Sequence, residues 1–198
     1  MDRISKLIVV VGVLSALASC GIFFTPMEGR WNTADPKNEL LTFNPSLDGY
    51  VEEGATWNDN TVLYAYPPPP SGIKAALLRF DTADFPRVVA ASYLQLTATS
   101  KLSAGQVLYF YRIIRDWDPG RITYDDVISG DFYDESLVTI FSVPGDVSDI
   151  QIPLGDVFIG NRDDLADGIV MFSPDSLVFH SSEPVTTGTP PLLLVEPE

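Results

Sequence analysis

Carboxylates are the most abundant chemically active groups in this 198-residue chain: 27 Asp and Glu stand against 12 Lys and Arg, with one His and one Cys. A Ser-His-Asp triad would have to use His180, and no nucleophile motif accompanies it. One histidine and one cysteine exclude a zinc site built on His or Cys ligands. No glycine-rich phosphate loop is present, and no two carboxylates are marked out for glycoside hydrolysis. The expectation is a protein without enzymatic activity. The acids suit calcium better, since Ca²⁺ takes six to eight oxygens from carboxylates, amides and carbonyls. Asp163, Asp164 and Asp167, beside Asn161 and Gly168, predict a weak structural Ca²⁺ site, although they lack EF-hand spacing. Asp125, Asp126, Asp131, Asp134 and Glu135 form a second acidic group. For both groups a solvated acidic loop is the simpler reading.

The aromatic residues point to another chemistry. Trp57 lies between Thr56 and Asn58-Asp59-Asn60, a polar stretch that would present a flat ring beside hydrogen-bonding groups. Sugar C–H faces stack on such rings, and amides and carboxylates orient them. Trp57, Asn58, Asp59 and Tyr133 are therefore the candidate ligand-binding residues. Trp117 follows the Tyr109–Tyr111 run and reads as a core residue. Arg79 and Asp81 share one side of their segment, placed to pair across the sheet with other charges in a structural role.

These residues need a scaffold, and the sequence predicts an all-β one. Val88–Thr99 alternates Ser92, Leu94, Leu96 and Ala98 with Tyr93, Gln95, Thr97 and Thr99, a period of two. Strand patterns recur after Asp48-Gly49, at 61–66, 74–81, 106–114, 136–143, 147–152, 168–172, 176–180 and 191–195. About ten short strands bounded by Gly, Pro, Asp and Ser predict an antiparallel jelly-roll-like β-sandwich. Only Asp163–Ala166 suggests a helical turn. Pro67–Pro70 reads as a stiff connector that must end the preceding strand.

The N-terminal residues assign a location. Arg3 and Lys6 precede an apolar run, Leu7–Leu14, and then small residues, the three-part layout of a secretory signal. The run is shorter than the roughly 20 residues that a membrane span needs. Leu17-Ala18-Ser19-Cys20 resembles a bacterial lipobox. That resemblance implies cleavage before Cys20 and diacylglycerol on its thiol, which makes a lipoprotein of the outer membrane or cell surface facing the periplasm or exterior. Two or three acyl chains hold firmly, at about 0.8 kcal/mol per buried methylene. Residues 1–19 would be the signal peptide, 20–47 a lipidated tether with Trp31 docking onto the domain, and 48–198 the β-domain. Since 1–19 carry a net +1, the remainder is −16. Such acidity argues against nucleic acid as a partner.

Several motifs resemble the DNRLRE family, disaggregatase-related modules that include carbohydrate-binding-module-like domains. They are Asp48-Gly49-Tyr50-Val51, Ala76-Leu77-Leu78-Arg79-Phe80-Asp81, Arg115-Asp116-Trp117-Asp118 with Ile122-Thr123-Tyr124, Val178-Phe179-His180-Ser181-Ser182-Glu183 and Pro190-Pro191-Leu192-Leu193. They run in order over about residues 48–196. The resemblance implies a jelly-roll-like sandwich and a non-catalytic module binding carbohydrate or cell-envelope polysaccharide; a structural or adhesive surface lipoprotein that binds protein is the alternative. The acidity makes a neutral glycan the expected ligand. Cys20→Ser is expected to abolish acylation and release the chain from membranes. Metabolic acyl labelling checks this: a blank parent and a variant that still fractionates with membranes would refute the anchor.

Overall fold

Leu94, Leu96 and Ala98 alternate along the 14-residue strand Val89–Leu102, and one complete sheet assembles around it. The computed structural model describes residues 40–59, 61–68, 72–155, 162–183 and 188–198, with backbone only at Leu137 and Arg162. The described residues contain eleven strands: β1(Leu41–Phe43), β2(Pro45–Glu52), β3(Val62–Ala65), β4(Lys74–Phe80), β5(Val89–Leu102), β6(Val107–Ile113), β7(Tyr133–Ser142), β8(Val147–Pro153), β9(Ile169–Phe172), β10(Leu177–His180) and β11(Leu192–Pro197). Every pairing is antiparallel.

One sheet has the order β1-β11-β5-β10-β3, with β8 also paired to β5; the other has the order β2-β4-β9-β6-β7. Tyr93, Leu94 and Gln95 pair with both β11 and β8, so those strands take opposite edges of β5. From β3 to β10 the chain alternates between sheets except at the β6–β7 hairpin. The resulting orders, β3-β10-β5-β8 and β4-β9-β6-β7, are those of an eight-stranded jelly roll. Strands β1, β2 and β11 extend it. Between the sheets lie Leu78, Phe80, Leu96, Phe110, Met171 and Phe179, each at most 2% exposed. Burying each such side chain contributes roughly 1.5–3 kcal/mol.

A second apolar layer covers the outer face of the five-stranded sheet. Val51, Ala75, Leu77, Val170 and Phe172 are buried there against Trp117, Ile122, Val127 and Phe132 of the long β6–β7 connection. That connection includes a helical turn, α1(Tyr124–Val127), which the sequence reading placed in an acidic loop. Its signal was Thr123-x-x-Asp126. The Thr123 hydroxyl accepts the Asp126 N–H at 3.2 Å while the Asp126 carboxylate accepts the Thr123 N–H at 3.0 Å. This reciprocal capping box lets one short turn persist.

Two boundaries differ from the sequence expectation. Leu41–Phe43 and Pro45–Leu47 fall in the stretch assigned to the tether, yet both are strand: β1 pairs with β11, and β2 pairs with β4 from Pro45 onward. Tertiary pairing overrides the Pro and Asn punctuation there. Cys20, Trp31 and the signal segment lie outside the described residues, as do Pro69 and Pro70.

Gly168 joins the Arg162–Leu165 3-10 turn to β9 with φ +99°, donates to the Leu165 carbonyl at 3.0 Å and accepts from the Ile113 N–H at 3.0 Å. A Cβ there would collide with the Leu78 carbonyl and lie 3.2 Å from the Arg79 Cα. Gly168→Ala should therefore cost more than about 2 kcal/mol, from left-handed strain and collision together. Urea unfolding checks this, and an unchanged midpoint would contradict it.

Candidate functional site

Trp57 is held at the β2 edge by backbone pairing on either side of it. The Asn58 N–H donates to the Tyr50 carbonyl at 2.8 Å and the Tyr50 N–H to the Asn58 carbonyl at 2.9 Å, while Thr56 bridges to Thr123. The Asn58 amide nitrogen donates to the Thr56 carbonyl at 3.1 Å. Gly49 makes room for the indole: a Cβ at that position would fall 2.7 Å from Trp57 Cζ2 and closer still to the Asn58 carbonyl. Trp57 is consequently partly buried rather than a ring on an open loop. Behind it stands Trp117, with ring centroids 5.2 Å apart. Trp117 is 5% exposed and donates its indole N–H to the Asp167 carbonyl at 2.8 Å. The Arg79 guanidinium lies 4.4 Å from the Trp117 ring centroid and donates to Asp116 Oδ1 and the Trp117 carbonyl at 3.0 and 2.9 Å. Arg79, Trp117 and Trp57 thus form a layered support for the site.

The Trp57 ring opens on a cleft of about 340 Å³ that also presents Ser46, Asp48, Asp59, Ser182 and Glu183. Asp48 was not among the candidate residues. It points from β2 toward the space between the sheets and is 5% exposed. Its carboxylate accepts the Ser182 N–H at 2.5 Å and the Ser182 hydroxyl. Burial pushes its pKa up; the Ser182 bonds pull the other way, and repulsion from Glu183 adds to the rise. Ser182 and Glu183 lie in a Phe-His-Ser-Ser-Glu run of the resemblance, but their pairing with Asp48 spans 134 residues and is invisible in sequence.

The remaining candidates lie elsewhere. Tyr133, expected as an exposed ring, is half-buried in β7 and packs on Tyr111 and Phe172 at 4.8 and 5.9 Å between centroids. Aromatic neighbours across the sheet took the ring from solvent. Gly49 under Trp57 and Tyr111 beside Tyr133 are separated by β4 and β9, about 14 Å at the usual strand spacing. The structure therefore does not combine Trp57 and Tyr133 in one site. Trp57 and Asp59 do share the cleft, whereas the Asn58 amide turns to the backbone. Asn60 lies outside the described residues.

Of the three acids assigned to calcium, Asp163 and Asp164 sit on the 3-10 turn, and Asp164 pairs with Arg112 at 2.8 Å. Asp167 follows the turn, where its carbonyl receives Trp117. Asn161 lies outside the described residues, among which no group of three His, Cys, Asp or Glu is arranged to hold a metal ion. In the other acidic group, Asp131 and Asp126 pair with Arg115 at 3.1 and 3.6 Å.

No family model and no curated protein matches the chain. A solved structure of tomato aspermy virus aligns over 96% of this chain and 94% of its own at 13% identity and a TM-score of 0.31, a likeness too slight to carry an argument.

The direction of the Asp48 shift sets a pH dependence. A raised native pKa means that the folded state holds the proton more tightly, so this group's contribution to stability falls as pH rises from 3.8 through the native value. Asp126 acts oppositely: hydrogen bonds from Thr123 lower its pKa, and its contribution is lost as pH falls below 3.8. Asp48→Asn removes the first effect alone. Urea midpoints at a series of pH values should show the variant gaining on the parent as pH rises through that window. A difference independent of pH would rule out a raised Asp48.

Proposed function

We propose that this chain is a non-catalytic, lipid-anchored module outside the cytoplasm that binds carbohydrate of the cell envelope or its surroundings. The cleft beside Trp57 carries the reading: a ring fixed on a rigid edge by Gly49 and Trp117, with the polar side chains of Asp59, Ser46 and Ser182 lining the same cleft. A sugar ring laid on an indole gains apolar contact, and a ring already immobilised loses little entropy on binding. The DNRLRE resemblance and the lipobox-like Cys20 support the same assignment. No resident metal ion is required by this reading.

A second reading has its own observation. On β7, Ile140 is 62% exposed and Val138 36%, opposite Tyr109 and Tyr111 of β6. An apolar strip on an edge strand suits a protein partner, as in a structural or adhesive surface lipoprotein.

Calorimetry on the full chain in detergent with a panel of glycan oligomers tests the first reading. Binding should lie at about micromolar to millimolar, or −8 to −4 kcal/mol. Trp57→Ala should weaken it by at least about tenfold, which is about 1.4 kcal/mol. Asp59→Ala, at an exposed position, checks the site without disturbing the Trp117 stack. If no glycan binds, the exposed β7 strip becomes the leading candidate surface.

A further inference from the structure

Among the described residues, three carboxylates and no Lys or Arg line the cleft beside Trp57. Of the nearby cations, Arg79 and Lys74 are engaged elsewhere. Arg79 is held by Asp116 and the Trp117 carbonyl. Arg121 lies 3.9 Å from Asp118, its side chain 87% exposed. Lys74 is 3.3 Å from Glu52 and 4.0 Å from the Tyr64 ring centroid. Asp48, Asp59 and Glu183 therefore gather acidic groups around one concave space, with no Lys or Arg of the described residues lining it.

These acids line a cavity with an indole wall, and the wall and the charge select the same ligand. A cation near an indole face is attracted by the ring quadrupole. Both oxygens of Asp48 are held by Ser182, which fixes the carboxylate in place. Glu183 repels Asp48 across this space, and a bound positive group would relieve that repulsion. Among the described residues no three acidic or histidine groups are placed together to hold a metal ion. A cation spread over a larger molecule needs only one carboxylate at each contact.

Resting on the carbohydrate reading above, we infer that the cleft's ligand is a cationic amino sugar, a hexosamine oligosaccharide with free amino groups. Its pyranose face stacks on Trp57, and its ammonium groups meet Asp59 and Glu183. This reverses the expectation of a neutral glycan. The net charge of −15 then serves as long-range attraction for a polycation.

The experiment is calorimetry on the full chain in detergent with four probes of equal length: a glucosamine oligomer, its N-acetylated form, a cello-oligosaccharide and oligolysine. The glucosamine oligomer should bind at least about tenfold more tightly than the acetylated one, and added salt should erase the advantage. Asp59→Asn with Glu183→Gln should remove the same factor, and thermal melting confirms that the doubly substituted chain is folded. Equal binding of acetylated and free-amino oligomers overturns this inference but leaves carbohydrate binding intact. If no sugar probe binds, both readings fail. Oligolysine binding as tightly as glucosamine, or full binding by the double variant, would mean that the acidic surface attracts any polycation, and would also overturn it.

Discussion

Ala75 and Leu77 on β4, Val170 and Phe172 on β9 and Ile113 on β6 turn apolar surface away from the opposing sheet, or lie buried with those that do. Left in water, that face would forfeit roughly 1.5–3 kcal/mol for each large side chain. The β6–β7 connection therefore folds back over it, and Trp117, Ile122, Val127 and Phe132 seal it. The cover in turn needs fastening, since a loop lying on a sheet has few backbone partners of its own. Arg79 fastens it by stacking on Trp117 and binding its carbonyl, the Asp167 carbonyl takes the indole N–H, and the Thr123–Asp126 box closes one turn. Burial on both faces of one sheet thus generates the loop, the loop carries Trp117, and Trp117 backs Trp57.

This constraint also divides what was legible in the sequence from what was not. The six-stranded sheet is buried on one face, so β5 alternates and was read as a strand with its inward set correct. β4 and β9 are buried on both faces: Ala75–Leu78 and Ile169–Phe172 are buried at every position. Their runs, Ala75-Ala76-Leu77-Leu78 and Ile169-Val170-Met171-Phe172, read equally well with either face inward. Nothing in the sequence says that both faces are covered, so the second apolar layer is hidden in it. The same gap misplaced Tyr133: the partners that bury its ring, Tyr111 and Phe172, belong to that layer.

The cleft was half legible for a related reason. Trp57 and Asp59 stand together in one short polar segment, and their types announced a binding chemistry. Asp48, Ser182 and Glu183 reach the same place only through topology. β2 is the edge of one sheet, and the chain leaving β10 passes the mouth between the sheets beside it. Farther along the same edge, Tyr50 of β2 meets Tyr64 of β3 edge-on at 4.7 Å, and Lys74 caps both rings while pairing with Glu52. The inward side of β2 is therefore polar at Asp48 and Glu52 and aromatic at Tyr50, as suits a strand whose inner face meets both core and water.

Asp48 shows how such an edge can tolerate a buried carboxylate. An isolated charge at 5% exposure would be expensive, and the usual remedies are a cation or proton uptake. Here Ser182 donates both its N–H and its hydroxyl, which satisfies the carboxylate while leaving its charge uncompensated. Replacing Ser182 by a lysine-like partner would have stabilised the carboxylate more and filled the cleft with its own counter-ion. With a neutral clamp instead, no counter-ion comes from this position, and burial raises the Asp48 pKa. The bond also ties the segment after β10 to the β2 edge, across 134 residues of chain. One residue pair thus closes the sandwich at this corner and sets the charge of its opening.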